Sequence, residues 1–224
     1  MISKSEVTLI PWDPLSESHR EWLYKQRVEC SWDMDKVEEI WRDAQIKGEK
    51  CIYWIVLPPS DLEGVGSDKL VDTAASINAV PRQPSQIEFV PIGHISLDSK
   101  CQESDRIELE IPTEGVFWIK TFFVSRSRQG KGIGRAAMDE VEGLAAREPL
   151  CAKTLLLSTL VREDQMRGEY AKVAFGASPK IINQDWYSRR GYRSIKIVEN
   201  FFDVRDKTGK RWDTKAIFMR KDIA

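Results

Sequence analysis

The chain has 224 residues, 42% of them hydrophobic, enough for one large domain with a sizeable core. Its 34 basic and 35 acidic side chains leave a formal charge of −1, which argues against a general electrostatic grip on nucleic acid or on an anionic membrane. Cys30, Cys51, Cys101 and Cys151 form no CxxC pair, and His19 and His94 stand in no ligand-spaced cluster, so thiols in a reducing compartment are expected and a zinc site is not.

The opening MISKSEVTLI lacks the apolar core of a signal peptide. No apolar run approaches the roughly 20 residues that span a bilayer. A soluble cytoplasmic protein is expected, with the nucleus equally compatible.

In chain order, Glu6–Pro11 reads as a strand and Ser18–Cys30 as a helix. A second helix is expected over Met34–Lys47, where Met34, Val37, Ile40, Trp41 and Ala44 recur at three- and four-residue spacing, with Asp33 placed to cap it and Gly48 to end it. Cys51–Leu57 (CIYWIVL) reads as a buried strand. Residues 58–91 carry Pro58, Pro59, Pro81, Pro84, Pro91, Gly64 and Gly66, and read as a long insertion with one short helix near Val71–Ile77. Strands follow at Ile92–Asp98 and Val116–Val124, then a glycine-rich turn. A helix from about Gly132 to Arg147 shows Ile133, Ala136, Ala137, Val141, Leu144 and Ala145 on one face. Thr154–Val161 is another buried strand, Arg162–Lys180 a second polar insertion, and Ile182–Arg190 a helix ended by Gly191. The tail from Ser194 reads as two strands turning at Lys207-Thr208-Gly209-Lys210. This order mixes hairpins with one crossover and is not a repeated βαβ.

The chemistry concentrates where the strand ending in Phe122, Phe123 and Val124 runs through Gln129-Gly130-Lys131-Gly132-Ile133-Gly134-Arg135 into a helix. A helix N-terminus exposes N–H groups and partial positive charge, and glycines let a phosphate approach them closely. The turn is therefore an anion cradle. It is not a P-loop, because Gly132 stands where Ser or Thr would follow Lys131. A GxGxxA fingerprint can be laid on Gly132, Gly134 and Ala137, but the strand order is wrong for a dinucleotide fold.

Gln129-x-x-Gly132-x-Gly134 resembles the Q/R-x-x-G-x-G/A acetyl-CoA signature of the GNAT superfamily of N-acetyltransferases. The strand ending five residues ahead of Gln129, the segment Trp186-Tyr187-Ser188-Arg189-Arg190-Gly191-Tyr192, which is similar to the family's F-Y-x-x-x-G-F, and the element order extend the resemblance from about Glu6 to Asp222. Departures are the insertions at 58–91 and 162–180. The resemblance implies a single α/β domain with a mixed, mostly antiparallel sheet of six or seven strands flanked by helices. It implies acetyl-CoA as cosubstrate, with backbone groups of Phe122, Phe123 and Val124 against the pantetheine arm. The Val124 amide would polarise the thioester carbonyl. Residues Gln129 to Gly134, with Arg135 nearby, would bind the pyrophosphate. Tyr187 would be the general acid, although its helix position also suits a core tyrosine.

The position that carries a glutamate base in some members is Trp118 here. Lys120 and Thr121 are poor bases at neutral pH. Glu110 and Glu114 are candidates, beside a water chain or an amine that arrives neutral. Trp32 and Asp33, between the first two helices, fall where the family often forms its acceptor wall, and Asp33 also suits a plain cap. His94 reads as structural. The expected acceptor is a primary amine, first of all on a small molecule, with a protein N-terminus or lysine as the alternative. A non-catalytic acyl-CoA-binding module is the reading from another class. Many family members dimerise, so a homodimer is compatible with the resemblance, although no segment marks an interface.

Overall fold

The computed structural model describes residues 6–62, 68–101, 104–175, 179–205 and 209–223. The fold is mixed α/β, with seven strands in a mostly antiparallel main sheet and flanking helices. Contacts divide the chain into two compact units. The first comprises the residues up to Cys101 together with Phe117–Ala152, and the second comprises the rest.

In the first unit the strands are β1 (Thr8–Pro11), β2 (Ile52–Val56), β3 (Pro91–Asp98) and β4 (Val116–Val124), paired in that order. Every residue of β2 and β3 is buried, as their apolar runs require of strands covered on both faces. Helix α1 (Glu17–Cys30) turns His19, Leu23, Gln26 and Arg27 inward at helical spacing. Trp12, Leu23, Val37, Trp41, Ile52, Trp54, Val56, Leu70 and Phe89 make one core cluster. Helix α3 (Ile133–Ala146) buries Ile133, Ala136, Ala137, Val141 and Ala145 as expected, and Met138 with them, while Leu144 is half-buried.

The second helix departs from expectation. It opens as a π-helical segment, Val37–Trp41, continued by α2 (Arg42–Ile46). An i→i+5 ladder adds a residue to the turn. Val37 and Trp41 therefore stay inside, Ile40 swings out to 45% exposure, and Gln45 replaces Ala44 as the buried residue of the next turn. Asp33 does not cap it. Its φ of 52° is left-handed rather than extended as an N-cap requires, and the residue preceding the segment is Lys36.

The short helix expected near Val71–Ile77 is absent. Leu70–Val71 pairs with Glu88–Phe89, and Ser76–Ile77 pairs with Val80–Pro81 across Asn78 and Ala79. Both turn residues have positive φ (49° and 58°), the geometry of a tight hairpin. Asp72 ties this segment down, accepting from Arg82 at 2.7 and 2.8 Å and from the Ser85 N–H and hydroxyl at 2.9 and 2.6 Å. Burial opposes ionisation of Asp72, but the Arg82 and Ser85 hydrogen bonds hold its carboxyl well below the usual range. Gly64 and Gly66, part of the predicted insertion, lie outside the described residues.

Both histidines are packed neutral in this unit. His19 Nδ1 accepts from the Asp13 N–H and from Trp54 Nε1, each at 3.1 Å, so Nε2 carries the proton and donates to the Val71 carbonyl at 2.9 Å. Burial lowers the His19 pKa against the opposing pull of that carbonyl, Asp13 and Asp72. Burial, then the charges of Arg27 and Lys50, push His94 well below its ordinary value. The unfolded chain then binds more protons than the folded one just below pH 6.5, the ordinary imidazole value. Stability is complete above that pH and falls as pH drops through it, by up to about 1.4 kcal/mol per pH unit for each histidine. Urea denaturation at pH 7.5 and 5.5 should give a clearly lower midpoint at 5.5. Equal midpoints would show that neither histidine is held neutral.

In the second unit β5 (Thr154–Leu160), β6 (Arg193–Glu199) and β7 (Lys215–Asp222) are antiparallel, with β7 between the other two. The predicted polar insertion at 162–180 contains helices α4 (Arg162–Met166) and α5 (Gly168–Phe175), and Gln165, Tyr170 and Ala171 are buried there. Its high polarity masked an amphipathic pattern. Helix α6 (Asn183–Arg189) follows. The tail does not turn once, because a two-residue ladder, Val204–Arg205 with Arg211–Trp212, intervenes before β7. Lys207 and Thr208 of the predicted turn lie outside the described residues. Among the described residues no helix is long and apolar enough to cross a membrane.

Candidate active site

The site in the first unit is built on the β3–β4 pair. Gly93 faces Val124 and His94 faces Phe123, but Ser96 faces Lys120, so β4 carries one extra residue. Thr121 sits in this bulge at φ 46°, a left-handed conformation that a β-branched residue seldom adopts. Its hydroxyl donates to Ser96 Oγ at 2.8 Å or accepts from it. Gly93 is required by close approach, since a Cβ there would lie 2.3 Å from the Phe123 carbonyl oxygen.

The Ser125 N–H donates to the Ile92 carbonyl at 2.9 Å. Hydrogen-bonded and non-hydrogen-bonded pairs alternate in antiparallel strands, so Gly93 and Val124 form a non-hydrogen-bonded pair. The backbone N–H and C=O of Val124 are therefore directed away from β3. The Gln129 side-chain amide takes that carbonyl at 2.9 Å. Phe123 and Val124 are buried and Phe122 is half-buried.

After a 3₁₀ turn at Arg126–Arg128, whose Arg126 N–H donates to Glu29 Oε1 at 2.8 Å, the chain enters the glycine loop. Gly130 and Gly132 have φ of 80° and 81°. A Cβ at Gly130 would meet nothing within 4 Å, so its backbone faces open space. No side chain caps α3 at Gly132, and the first-turn N–H groups of a helix have no carbonyl within it. Gly134 lies under the Phe122 ring, where a Cβ would be 3.4 Å from Cζ. Lys131 and Arg135 are exposed beside the loop, and Ile133 anchors the helix start in the core. The exposed cations and uncapped helix start of this loop fit a pyrophosphate.

Trp32 and Asp33 lie between α1 and the π-helical segment, both half-buried. The Asp33 carboxylate pairs with Lys36 at 2.9 Å and lies 3.8 Å from Arg27. Trp118, at the position of the family's glutamate, is buried in β4 opposite Asp98. Ser96, Gly93 and Arg27 were not singled out for the site from sequence, and Thr121 was weighed only as a poor base. Only Gly93, a glycine inside a strand, carried a signal of close approach.

Tyr187 belongs to α6 in the second unit, with ring contacts to Trp186 at 5.0 Å and Tyr192 at 5.8 Å. Gly191 at φ 91° ends that helix. Burial pushes the Tyr187 phenol up, opposed by Arg190, so it keeps its proton at neutral pH. Glu110 and Glu114 are exposed. Among the described residues no group of three or more His, Cys, Asp or Glu could hold a metal ion.

Residues 86–175 match the family model described as the Acetyltransferase (GNAT) family, a span that holds β3, β4, the glycine loop and α3. Over these residues the chain matches the GNAT acetyltransferase family. Members of this family are acyltransferases that use acetyl-CoA as cosubstrate. Solved structures of the same fold include Arabidopsis thaliana NAA60 in complex with a bisubstrate analogue, at 13% identity over 97% of this chain and 99% of that one, TM-score 0.54. An aminoglycoside 6′-N-acetyltransferase complexed with coenzyme A is 16% identical over 97% of both chains, TM-score 0.52. A dodecameric spermidine N-acetyltransferase from Vibrio cholerae is 11% identical over 97% and 94%, TM-score 0.54. No curated protein sequence gives a significant match. Trp32, Asp33 and Tyr187 all lie outside the matched residues.

Proposed function

We propose that this acetyltransferase transfers acetyl from acetyl-CoA to a primary amine of a small molecule by direct attack. The observation that carries this reading is the Val124 N–H, turned away from β3 on the strand that leads into the uncapped glycine loop. In this reading the loop amides from Gln129 to Gly134, with Lys131 and Arg135, hold the pyrophosphate. The backbone of Phe122, Phe123 and Val124 orients the pantetheine arm. The Val124 N–H donates to the thioester oxygen as charge develops there. The neutral amine nitrogen bonds to the carbonyl carbon, the C–S bond breaks, and the thiolate takes the Tyr187 proton. The nitrogen's surplus proton leaves to water, since Trp118 cannot accept it and Glu110 and Glu114 are solvated carboxylates. A high phenol pKa suits a group that must arrive protonated.

A small acceptor is favoured over a peptide because Asp72 folds residues 70–89 into a compact hairpin whose Leu70 and Phe89 share a core cluster with Leu23 and Val37, which stand on either side of Trp32 and Asp33 in the chain. Acetylation of a protein N-terminus or lysine is the competing outcome. Calorimetric titration with acetyl-CoA, with NAD as control, tests the cosubstrate. Micromolar binding of acetyl-CoA without NAD binding is expected, and no heat with acetyl-CoA would overturn the reading. An amine panel with thiol detection then decides the acceptor, and turnover of peptides alone would reject the small-molecule assignment.

A further inference from the structure

Arg27 is an arginine with 3% of its surface exposed, near the end of α1, and neither the family match nor the proposed chemistry uses it. Its hydrogen bonds form a directed chain. The Pro91 carbonyl accepts from Gln26 Nε2 at 3.0 Å, and Gln26 Oε1 accepts from His94 Nδ1 at 2.6 Å. That leaves the His94 Nε2 lone pair for Arg27 Nη1 at 3.3 Å. Arg27 Nε then donates to the Trp32 carbonyl at 2.8 Å, Nη2 lies 3.8 Å from Asp33 Oδ2, and the guanidinium stacks 5.3 Å from the Trp41 ring centroid.

The segment it holds is conformationally costly. Ser31 and Asp33 are both left-handed, at φ 68° and 52°, and non-glycine residues persist there only when their surroundings over-determine them. A planar fork with several donors suits this task, whereas an ammonium would hold fewer partners at fixed angles. The other end of the chain is His94, directly opposite Phe123 and one residue from the Gly93–Val124 pair.

We propose that Arg27 is a positioning residue for the amine acceptor: anchored on β3 opposite Phe123, it holds the Trp32 carbonyl and the Asp33 carboxylate in register with the Val124 end of β4, and so sets acceptor affinity without touching acetyl-CoA. This rests on the reading of Trp32 and Asp33 as the acceptor wall.

The test compares the full-length protein with Arg27→Met, which keeps apolar length against Trp41, and Arg27→Lys. The acceptor probe is whichever of spermidine, an aminoglycoside and a short peptide with a free amino terminus is turned over best. Losing a charged donor to two partners should raise the KM of Arg27→Met for that probe at least about tenfold, with kcat and acetyl-CoA affinity near wild type. Amide exchange should quicken at least about tenfold over residues 31–36 and stay unchanged in α3. Arg27→Lys should fall between, because it keeps the charge but not the fork, and it gives the same comparison if the methionine variant does not fold. Wild-type KM and wild-type exchange over 31–36 in either folded variant would overturn the proposal, as would a loss confined to kcat. If no probe is turned over, exchange at 31–36 decides for or against Arg27 holding the loop. Failure of the wild-type protein to bind acetyl-CoA would instead sink the functional reading.

Discussion

Gly132→Glu lowers acetyl-CoA affinity at least about 100-fold, or roughly 2.8 kcal/mol, while α3 and the sheet stay folded. Gly132 stands at the mouth of α3, where no side chain competes for the first-turn N–H groups. A carboxylate there would satisfy those donors itself and oppose the charge of the pyrophosphate. Two effects must be separated, because φ at Gly132 is 81° and any side chain at this position is strained. Gly132→Asn provides the separation. Asparagine takes left-handed backbone at the lowest cost among the larger residues and adds no charge. It should keep a substantially larger share of the affinity. Calorimetry on both variants, with thermal melts as the folding control, makes the comparison. Wild-type affinity in a folded glutamate variant would rule out this loop as the pyrophosphate site.

Tyr187→Phe is expected to lower kcat by about 10²–10³-fold, the range for loss of a positioned proton donor, and to leave acetyl-CoA affinity within about twofold, since a group that acts only in the transition state contributes little to ground-state binding. The ring contacts with Trp186 and Tyr192 do not depend on the hydroxyl, so the melting temperature should barely move. That separates a catalytic phenol from a core tyrosine. With the acid removed, the thiolate must leave unprotonated or take its proton from water, and the loss should be smallest for the most reactive thioester offered. Unchanged kcat would remove Tyr187 from the mechanism.

What was legible in the sequence followed its local regularities. Alternation and apolar runs marked all seven main strands, because a strand covered on both faces must be apolar along its length. The glycine loop was legible because its small residues stand close together in one chain at the start of a helix. The WYSRRGY segment was legible as a motif. The α4–α5 segment was not, because its charged residues outnumber Gln165, Tyr170 and Ala171, the ones buried among those described. The helix expected near Val71–Ile77 became paired strands because its neighbours, Asp72 with Arg82 and Asn78 with Ala79, favour a tight hairpin.

By itself, then, the sequence determined the order of the elements, the glycine-rich turn and the resemblance to the GNAT family, since each is written in residues that are adjacent or regularly spaced. Only the tertiary structure decided the π-helical opening that turns Ile40 out, the bulge that strains Thr121, the β3–β4 register that turns the Val124 amide off β3, and the Arg27 arm that holds Trp32 and Asp33. The bulge, the β3–β4 register and the anchoring of Arg27 arise between segments far apart in the chain, as between Arg27 and His94 or between Gly93 and Val124. Close packing and hydrogen-bond satisfaction fix such pairs only once the backbone has brought them together.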